Sequence, residues 1–303
     1  MFSGEASSSS SEDDSSCHLL ALSHDELGVV VDGLADPLQP VVAVALSSTC
    51  KALLAPLRAA LEVLKQRHEK AAALCRKGWA YIEQPAGCAY LRTTQSVVWI
   101  NKKLSNDDMA TLAMILRTNG LPSLASLHLG DNAFDDAGLR PLIDLMQLGS
   151  LPLLINLGLQ RVQFGPLHTE ALGAAFGAMP KLEWLDLQNT YPLGETSPRG
   201  GMNVLARPLR KLHKLKMLGL NWTHVDDEGV ALLLADLRTG DFQALEFLQL
   251  SHNKITDVGC GKLADALKAG ALPRVREVDL NGNPASDGAT AAVQKALYNR
   301  RWG

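Results

Sequence analysis

Between Leu245 and Leu267 the chain reads LEFLQLSHNKITDVGCGKLADAL, and the period of its apolar positions changes partway through. Leu248 and Leu250 alternate with polar neighbours at period two, the spacing of a strand with one buried face. Asn253 follows where the chain must bend, and its amide can both donate to and accept from turn backbone groups. Ile255 returns to the core and Thr256 or Asp257 caps a helix. Gly259, Leu263 and Leu267 then share one helical face at spacing four. One such unit cannot bury its own leucines. Stacked copies can, so the pattern makes sense only as an array.

The array is present. Leu124, Leu154, Leu182, Leu215, Leu245 and Val275 are equivalent, at steps of 30, 28, 33, 30 and 30 residues. The core pairs that follow are Leu127/Leu129, Leu157/Leu159, Leu185/Leu187, Leu218/Leu220, Leu248/Leu250 and Val278/Leu280. The turn column holds Asn132, Val162, Thr190, Thr223, Asn253 and Asn283. A degenerate first copy starts near Thr94, with Val98 and Ile100 as strand residues and Leu112 and Leu116 on its helix. The long step to Leu215 places an insertion rich in Gly, Pro and Ser at Tyr191 to Asn203. From about residue 90 to 300 this frame resembles the ribonuclease-inhibitor type of leucine-rich repeat. The resemblance implies an α/β solenoid, with a curved parallel sheet inside and helices outside. Val162 and Thr190 depart from the asparagine of that family's turn.

Ahead of the array the pattern is helical and predicts a small all-α domain over residues 17–80. Ser23-His24-Asp25-Glu26 is a capping box, with Leu27, Val30, Val31 and Leu34 as the apolar stripe behind it. Asp36-Pro37 breaks this helix, Val41 to Leu53 makes a second, and Pro56 suits the first turn of a third over Leu57 to Arg76. Leu57, Leu61 and Leu64 share a face of that third helix. Leu22 to Leu27, Leu34, Asp36-Pro37-Leu38 and Ala45-Leu46 through Leu53 resemble the F-box, a three-helix module that binds the adaptor subunit of a cullin-type ubiquitin ligase. Ser23 stands where that family usually has proline, and Leu53 where it often has tryptophan. The resemblance implies adaptor contacts through Leu27, Val31 and Leu46. The alternative is a cap that covers the exposed end of the solenoid. Gly78 to Tyr90 reads as a linker into residues 81–303, and a helix over Ala289 to Tyr298, using Ala292, Val293 and Leu297, closes the far end before a frayed Arg300-Arg301-Trp302.

Composition narrows the function classes. A net charge of −3 over 303 residues gives no global field for nucleic acid or an acidic membrane surface. No apolar run approaches the ~20 residues that span a bilayer, and the N-terminus lacks the basic and apolar regions of a secretory signal. Cysteines at 17, 50, 75, 88 and 260 have no metal-ligand spacing and read as reduced thiols of a cytoplasmic or nuclear protein. In that setting the Asn221-Trp222-Thr223 sequon is inert. Residues 1–16 form a disordered Ser/acidic tail, too polar to fold alone, in which Ser9, Ser10 and Ser11 each precede an acidic residue by three.

Catalytic signals are missing. Gly259-Cys-Gly261-Lys-Leu-Ala264 fits a dinucleotide pattern, yet eight residues separate Leu250 from Gly259, which shares the repeat's glycine column with Gly138 and Gly229. None of the eight histidines has a zinc spacing, and no cofactor is implied. Arg207, Arg210, Lys211, Lys214 and Lys216 interleave with Leu205, Leu209 and Leu212 as the solvent face of one outer helix.

Side chains flanking the buried strand leucines point onto the concave sheet. One column there reads Ser126, Asn156, Trp184, Met217, Phe247, Glu277, and the next Trp99, His128, Gly158, Asp186, Gly219, Gln249, Asp279. Trp184, Met217 and Phe247 thus form an apolar stripe bounded by polar groups, the composition of a binding hot spot. The expected site comprises these three with His128, Asp186, Gln249 and Trp99, and the expected function is a non-enzymatic adaptor that binds a protein there. With the F-box resemblance, the adaptor recruits that protein to a ubiquitin ligase. An alternative is a GTPase activator, since the Ran GTPase-activating protein has similar repeats, although its acidic and asparagine positions have no match here; a plain scaffold is a third reading.

Overall fold

The computed structural model describes residues 23, 26–27, 29–30, 34–49, 51–79, 88–118, 120–163, 165–190, 201–238 and 240–302. The tail 1–16, Cys17, Val31, Cys50, most of the insertion and the Leu46 side chain lie outside the described residues.

Strand and helix alternate through the array. The strands are β1 Ser96–Val98, β2 Ser126–His128, β3 Asn156–Gly158, β4 Trp184–Asp186, β5 Met217–Gly219, β6 Phe247–Gln249 and β7 Glu277–Asp279. They form one parallel sheet in chain order. Ahead of β1 lie α1 Val41–Thr49, α2 Lys51–Gly78 and α3 Cys88–Thr93. The repeat helices are α4 Asn106–Thr118, α5 Asp136–Gln147, α6 Pro166–Phe176, α7 Met202–Arg210, α8 Asp227–Leu234, α9 Asp257–Lys268 and α10 Asp287–Trp302. Each packs on the next, so sheet and helices form two layers over one continuous core. Every leucine column named from the sequence between Leu124 and Leu280 is buried.

The turn column ties repeats together. The Asn253 amide donates to the carbonyls of Leu220, Leu250 and Ser251, while its Oδ1 accepts from the Thr223 and Val225 N–H groups at 3.0 Å. It thus closes its own turn and the turn of the preceding repeat. Asn132 does the same for Lys102 and Leu104, and Asn283 for Ile255. Thr190 and Thr223 donate to their own turn carbonyls, Leu187 and Leu220, at 2.6 Å. Val162 is buried and closes its turn by packing and a backbone bond to Leu159.

A second set of polar contacts joins the helix starts. Asp227, in the first turn of α8, accepts from Thr256 N–H at 2.8 Å, Thr256 Oγ1 at 2.6 Å and Gly259 N–H at 2.9 Å, at the start of α9. Asp257 receives Ser286, Asp136 receives Gly165, and Asn106 receives Asp135 in the same way. This explains two members of the glycine column: a Cβ on Gly259 would lie 2.4 Å from Asp227 Oδ1, and one on Gly138 2.4 Å from Asn106 Oδ1, whereas one on Gly229 would meet Val225 and Met202. The place that a phosphate takes in a dinucleotide fingerprint is filled here by a carboxylate of the neighbouring repeat.

The first repeat is shifted by one residue from its sequence reading. Val97, not Val98, pairs with Leu127 and is buried, and Val98 is 52 % exposed opposite His128. Trp99 therefore points inward and is fully buried, where the sequence places it on the concave surface. Period two leaves no intermediate: a slip of one residue moves every side chain to the other face. Trp99 plugs the N-terminal end of the core. Its indole lies against Gly78, where a Cβ would clash at 2.2 Å, and meets Trp79 edge to face at 5.8 Å.

The helices before β1 are secured to this end. Ser23 and Glu26 form the expected reciprocal cap. Asp36 pairs with Arg92 at 2.6 Å, Arg92 also donates to Gly120 O, and Lys77 pairs with Asp108. Leu57 and Leu64 are buried. Three boundaries differ from expectation. The long helix begins at Lys51, which makes Pro56 its sixth residue; Lys, Ala and Leu are strong helix formers and extend it across the one bond that Pro removes. Cys88 to Tyr90 are helical rather than linker. At the far end Ala296 rather than Ala292 is buried, and α10 continues to Trp302 because Arg300 ties to Leu272 O at 3.1 Å.

Leu248→Ala should lower stability in denaturant by about 2–5 kcal/mol, and Asn253→Ala by at least about 2 kcal/mol, because buried turn groups of two repeats lose partners. Gln249→Ala, one residue from Leu248 on the other face, should cost under about 0.5 kcal/mol; equal losses at 248 and 249 would refute the register. For Asp227, burial raises the carboxyl, but hydrogen bonds from Thr256 and Gly259 outweigh this and hold it below its ordinary value of 3.8. Its contribution is therefore complete above that value and disappears as pH falls through the lower, folded one. Asp227→Asn should make the acid limb of a stability–pH curve shallower below about pH 4, and an unchanged limb would show that the carboxylate does not couple to folding.

Candidate functional site

Each strand has three residues, and the middle one is buried. The other two face the concave side, which yields two rows. Parallel pairing sets them in register: Ser96, Ser126, Asn156, Trp184, Met217, Phe247, Glu277, and Val98, His128, Gly158, Asp186, Gly219, Gln249, Asp279. Trp184, Met217 and Phe247 are therefore adjacent across β4, β5 and β6. Trp184 is 45 % exposed, and Met217 and Phe247 are half-buried. Of the seven expected site residues, six share this surface; Trp99 does not, for the reason given above.

The N-terminal part of the surface is polar and satisfied internally. The His128 ring lies over Gly158, where a Cβ would come within 2.5 Å of Nδ1, and contacts Ser126 Oγ at 3.0 Å. Burial pushes the His128 pKa down, against the pull of Asp186. Asp186 leans over Gly219 and accepts from Gln188 N–H at 2.9 Å. Burial pushes its carboxyl up, opposed by Gln188 and His128. Gln249 accepts from Asn221 at 3.3 Å. Asp186, Glu277 and Asp279 are the charged residues of the two rows, which contain no lysine or arginine.

Beside the rows, charges pair with each other: Lys216 with Glu183 at 2.7 Å and Arg276 with Glu246 at 3.3 Å. The basic run is not one helical face. Helix α7 ends at Arg210, and Lys211, Lys214 and Lys216 lie on the segment that turns into β5, with Lys211 paired to Asp241 at 2.7 Å. Leu205, Leu209 and Leu212 are buried as expected.

At the turn edge of the sheet, the equivalent residue of each repeat has left-handed backbone: Asn101, Asp131, Arg161, Asn189, Trp222, His252 and Gly282. Trp222 at φ 58° is a bulky occupant of that conformation. Its ring is 50 % exposed and stacks on His252 at 4.0 Å with 11° between planes. The sequon reading of Asn221-Trp222-Thr223 passes over this ring. The signal for it was the tryptophan in a turn column otherwise filled by Asn, Asp, Arg, His and Gly. Among the described residues no cluster of His, Cys, Asp or Glu could hold a metal ion.

A family model described as a leucine-rich repeat matches residues 120–142 and 243–264. Over 158 residues the chain is 31% identical to the Homo sapiens "NACHT, LRR and PYD domains-containing protein 5", covering 52% of this chain and 12% of that protein. Over 152 residues it is 29% identical to Gallus gallus lumican, covering 46% of this chain and 39% of that protein. The chain thus spans well under half the length of either curated relative. Among solved structures, an internalin from Listeria monocytogenes aligns over 74% of this chain and 66% of that chain, at 16% identity and a TM-score of 0.40. With the leucine-rich-repeat pattern matched in two of its repeats, and seven strands in one parallel sheet among the described residues, the fold is a leucine-rich-repeat solenoid.

Proposed function

We propose that this protein is a non-enzymatic adaptor, of the ribonuclease-inhibitor type of repeat, that captures a protein partner on its concave sheet. One observation carries this reading. Trp184, Met217 and Phe247 stand in register on three adjacent strands and point outward, while the core beneath them is already closed by Leu185, Leu218 and Leu248. Fully covering an exposed side chain of this size contributes about 1.5–3 kcal/mol; Met217 and Phe247 are already partly covered and give less, so the trio anchors a complex whose remaining affinity comes from the polar groups around it. The cytoplasm or nucleus belongs to the same proposal.

A second part of the reading concerns the N-terminal helices. Leu27, which the F-box resemblance assigns to the adaptor, is 5 % exposed and faces inward, so it is not a surface contact. Val29, Val41, Val42 and Val44 are instead 73, 72, 57 and 53 % exposed. We propose this valine surface as the place where a cullin-ligase adaptor docks, with ligase chemistry supplied by partner subunits.

The two parts separate experimentally. Trp184→Ser with Phe247→Ser should abolish capture of the concave partner and leave the melting transition within a few degrees of the parent. Val41→Asp with Val44→Asp should remove the cullin adaptor from purified complexes and keep the concave partner. A small GTPase that co-purifies with accelerated hydrolysis would replace the adaptor reading with GTPase activation. Loss of folding in the Trp184/Phe247 variant, with partners retained by the remaining folded fraction, would make those residues packing elements.

A further inference from the structure

The concave surface is charged in one sense. Its two rows hold Asp186, Glu277 and Asp279 and no lysine or arginine. The flanking cations cannot neutralise these acids without leaving their own partners: Lys216 is held by Glu183, Arg276 by Glu246 and Arg161 by Asp131. Asp186 is half-buried and has no ion pair among the described residues. Glu277 and Asp279 line a polar cleft of about 510 Å³ at the β7 end, together with Asn281, Asp287 and Gln294. Between these acidic ends lies the apolar stripe.

The spacing of the three features restricts what fits. Asp186 is on β4 and Asp279 on β7 in the same row, three strand intervals apart, or about 14 Å at ~4.8 Å per interval. In an extended chain, residues i and i+4 are separated by about 13–14 Å, and i, i+2 and i+4 project to one side. An extended segment crossing the sheet can therefore set two side chains on the acidic ends and a third on Met217 and Phe247. At the first end Trp184 precedes Asp186 by two residues on the same face, so a cation there meets both a carboxylate and a ring.

We propose that the concave face recognises an extended protein segment of the form cation-x-apolar-x-cation, with one Lys or Arg against Asp186 and Trp184, the apolar side chain on Met217 and Phe247, and the second cation in the Glu277/Asp279 cleft. This rests on the concave-site reading above and supplies the chemistry of its partner. Charge complementarity selects the occupant: an acidic segment would face three unpaired carboxylates, and an uncharged one would leave Asp186 half-buried without a counter-ion.

The test is selection of random heptapeptides displayed on phage against the full chain, followed by fluorescence titration of the most enriched peptides. Enrichment of Lys or Arg at i and i+4 around an aliphatic or aromatic residue at i+2 is expected. Binding of those peptides should weaken at least tenfold for the variant Asp186→Asn, Glu277→Gln, Asp279→Asn, which keeps side-chain shape and is checked for an unchanged melt. Enrichment of acidic or uncharged segments, no enrichment at all, or basic peptides that bind the neutralised variant equally well would overturn the proposal. The Trp184→Ser, Phe247→Ser protein separates the two readings. If it loses selected peptides that are acidic or uncharged, or that bind the neutralised variant equally well, the concave site stands and only the cation preference falls. If it keeps them, the concave site itself falls.

Discussion

The structure depends on one constraint: a strand of three residues in a parallel stack can bury one side chain and must present two. A single repeat exposes its leucines, and only the next repeat covers them. Once Leu127, Leu157, Leu185, Leu218 and Leu248 are committed to the core, their neighbours are committed to the concave face, and parallel pairing aligns equivalent neighbours across strands. The stripe of Trp184, Met217 and Phe247 is thus a consequence of register combined with residue choice. The fold explains where these side chains point. It does not explain why they are large and apolar, since Ser126, Asn156 and Glu277 serve equivalent positions without loss to the core.

Polar side chains add cohesion unevenly along the stack. Asn132 bridges the first two repeats, and Asn253 and Asn283 bridge the last three. At Val162, Thr190 and Thr223 the turn closes within its own repeat. The helix-start contacts also stop after Asp136 and resume at Asp227, because Pro166 and Met202 stand where α6 and α7 would carry the next acceptors. Among the described residues, the β3–β4 junction therefore rests on leucine packing and backbone bonds, and the β4–β5 junction adds to these the Lys216–Glu183 pair at the strand starts. Trp184 and Met217 stand over these junctions. Elsewhere the turn asparagines or the helix-start acceptors already join neighbouring repeats; here a partner's contacts would span repeats that neither set joins.

Much of this was legible in the sequence because hydrophobic period and core burial are the same fact seen twice. The six full copies carry strong leucine spacing, and their register was fixed by it. The first copy does not: Val97, Val98, Trp99 and Ile100 are apolar in succession, so period two has no phase, and the buried tryptophan is settled by Gly78 and Trp79 from a distant helix. The asparagine column reveals a turn but not that its amide reaches the preceding repeat, about 30 residues away. The Trp222–His252 stack was equally hidden, since it joins turn residues of two repeats across a conformation that no residue type marks uniquely. Leu27 was misplaced because an amphipathic stripe identifies a buried face without saying whether the cover is intramolecular.

That last ambiguity bears on what the N-terminal helices are for. A cap has one task, to cover the apolar end of the first repeat, and here it is done by Trp99 packed beneath Gly78 and Trp79, with Leu74, Cys75 and Leu91 in the same core. Salt bridges of Lys77 to Asp108 and Arg92 to Asp36 hold the cap in place. The valines at 41, 42 and 44 take no part in this core and are more than half exposed. A cap alone would favour polar residues there, as α2 has at Arg58, Glu62 and Lys65. A short helix with three exposed β-branched apolar residues also forgoes helix propensity. Covering the solenoid therefore accounts for α2 and α3, while α1 packs on α2 through Ala43 against Ala35 and Leu64 and leaves its three valines exposed.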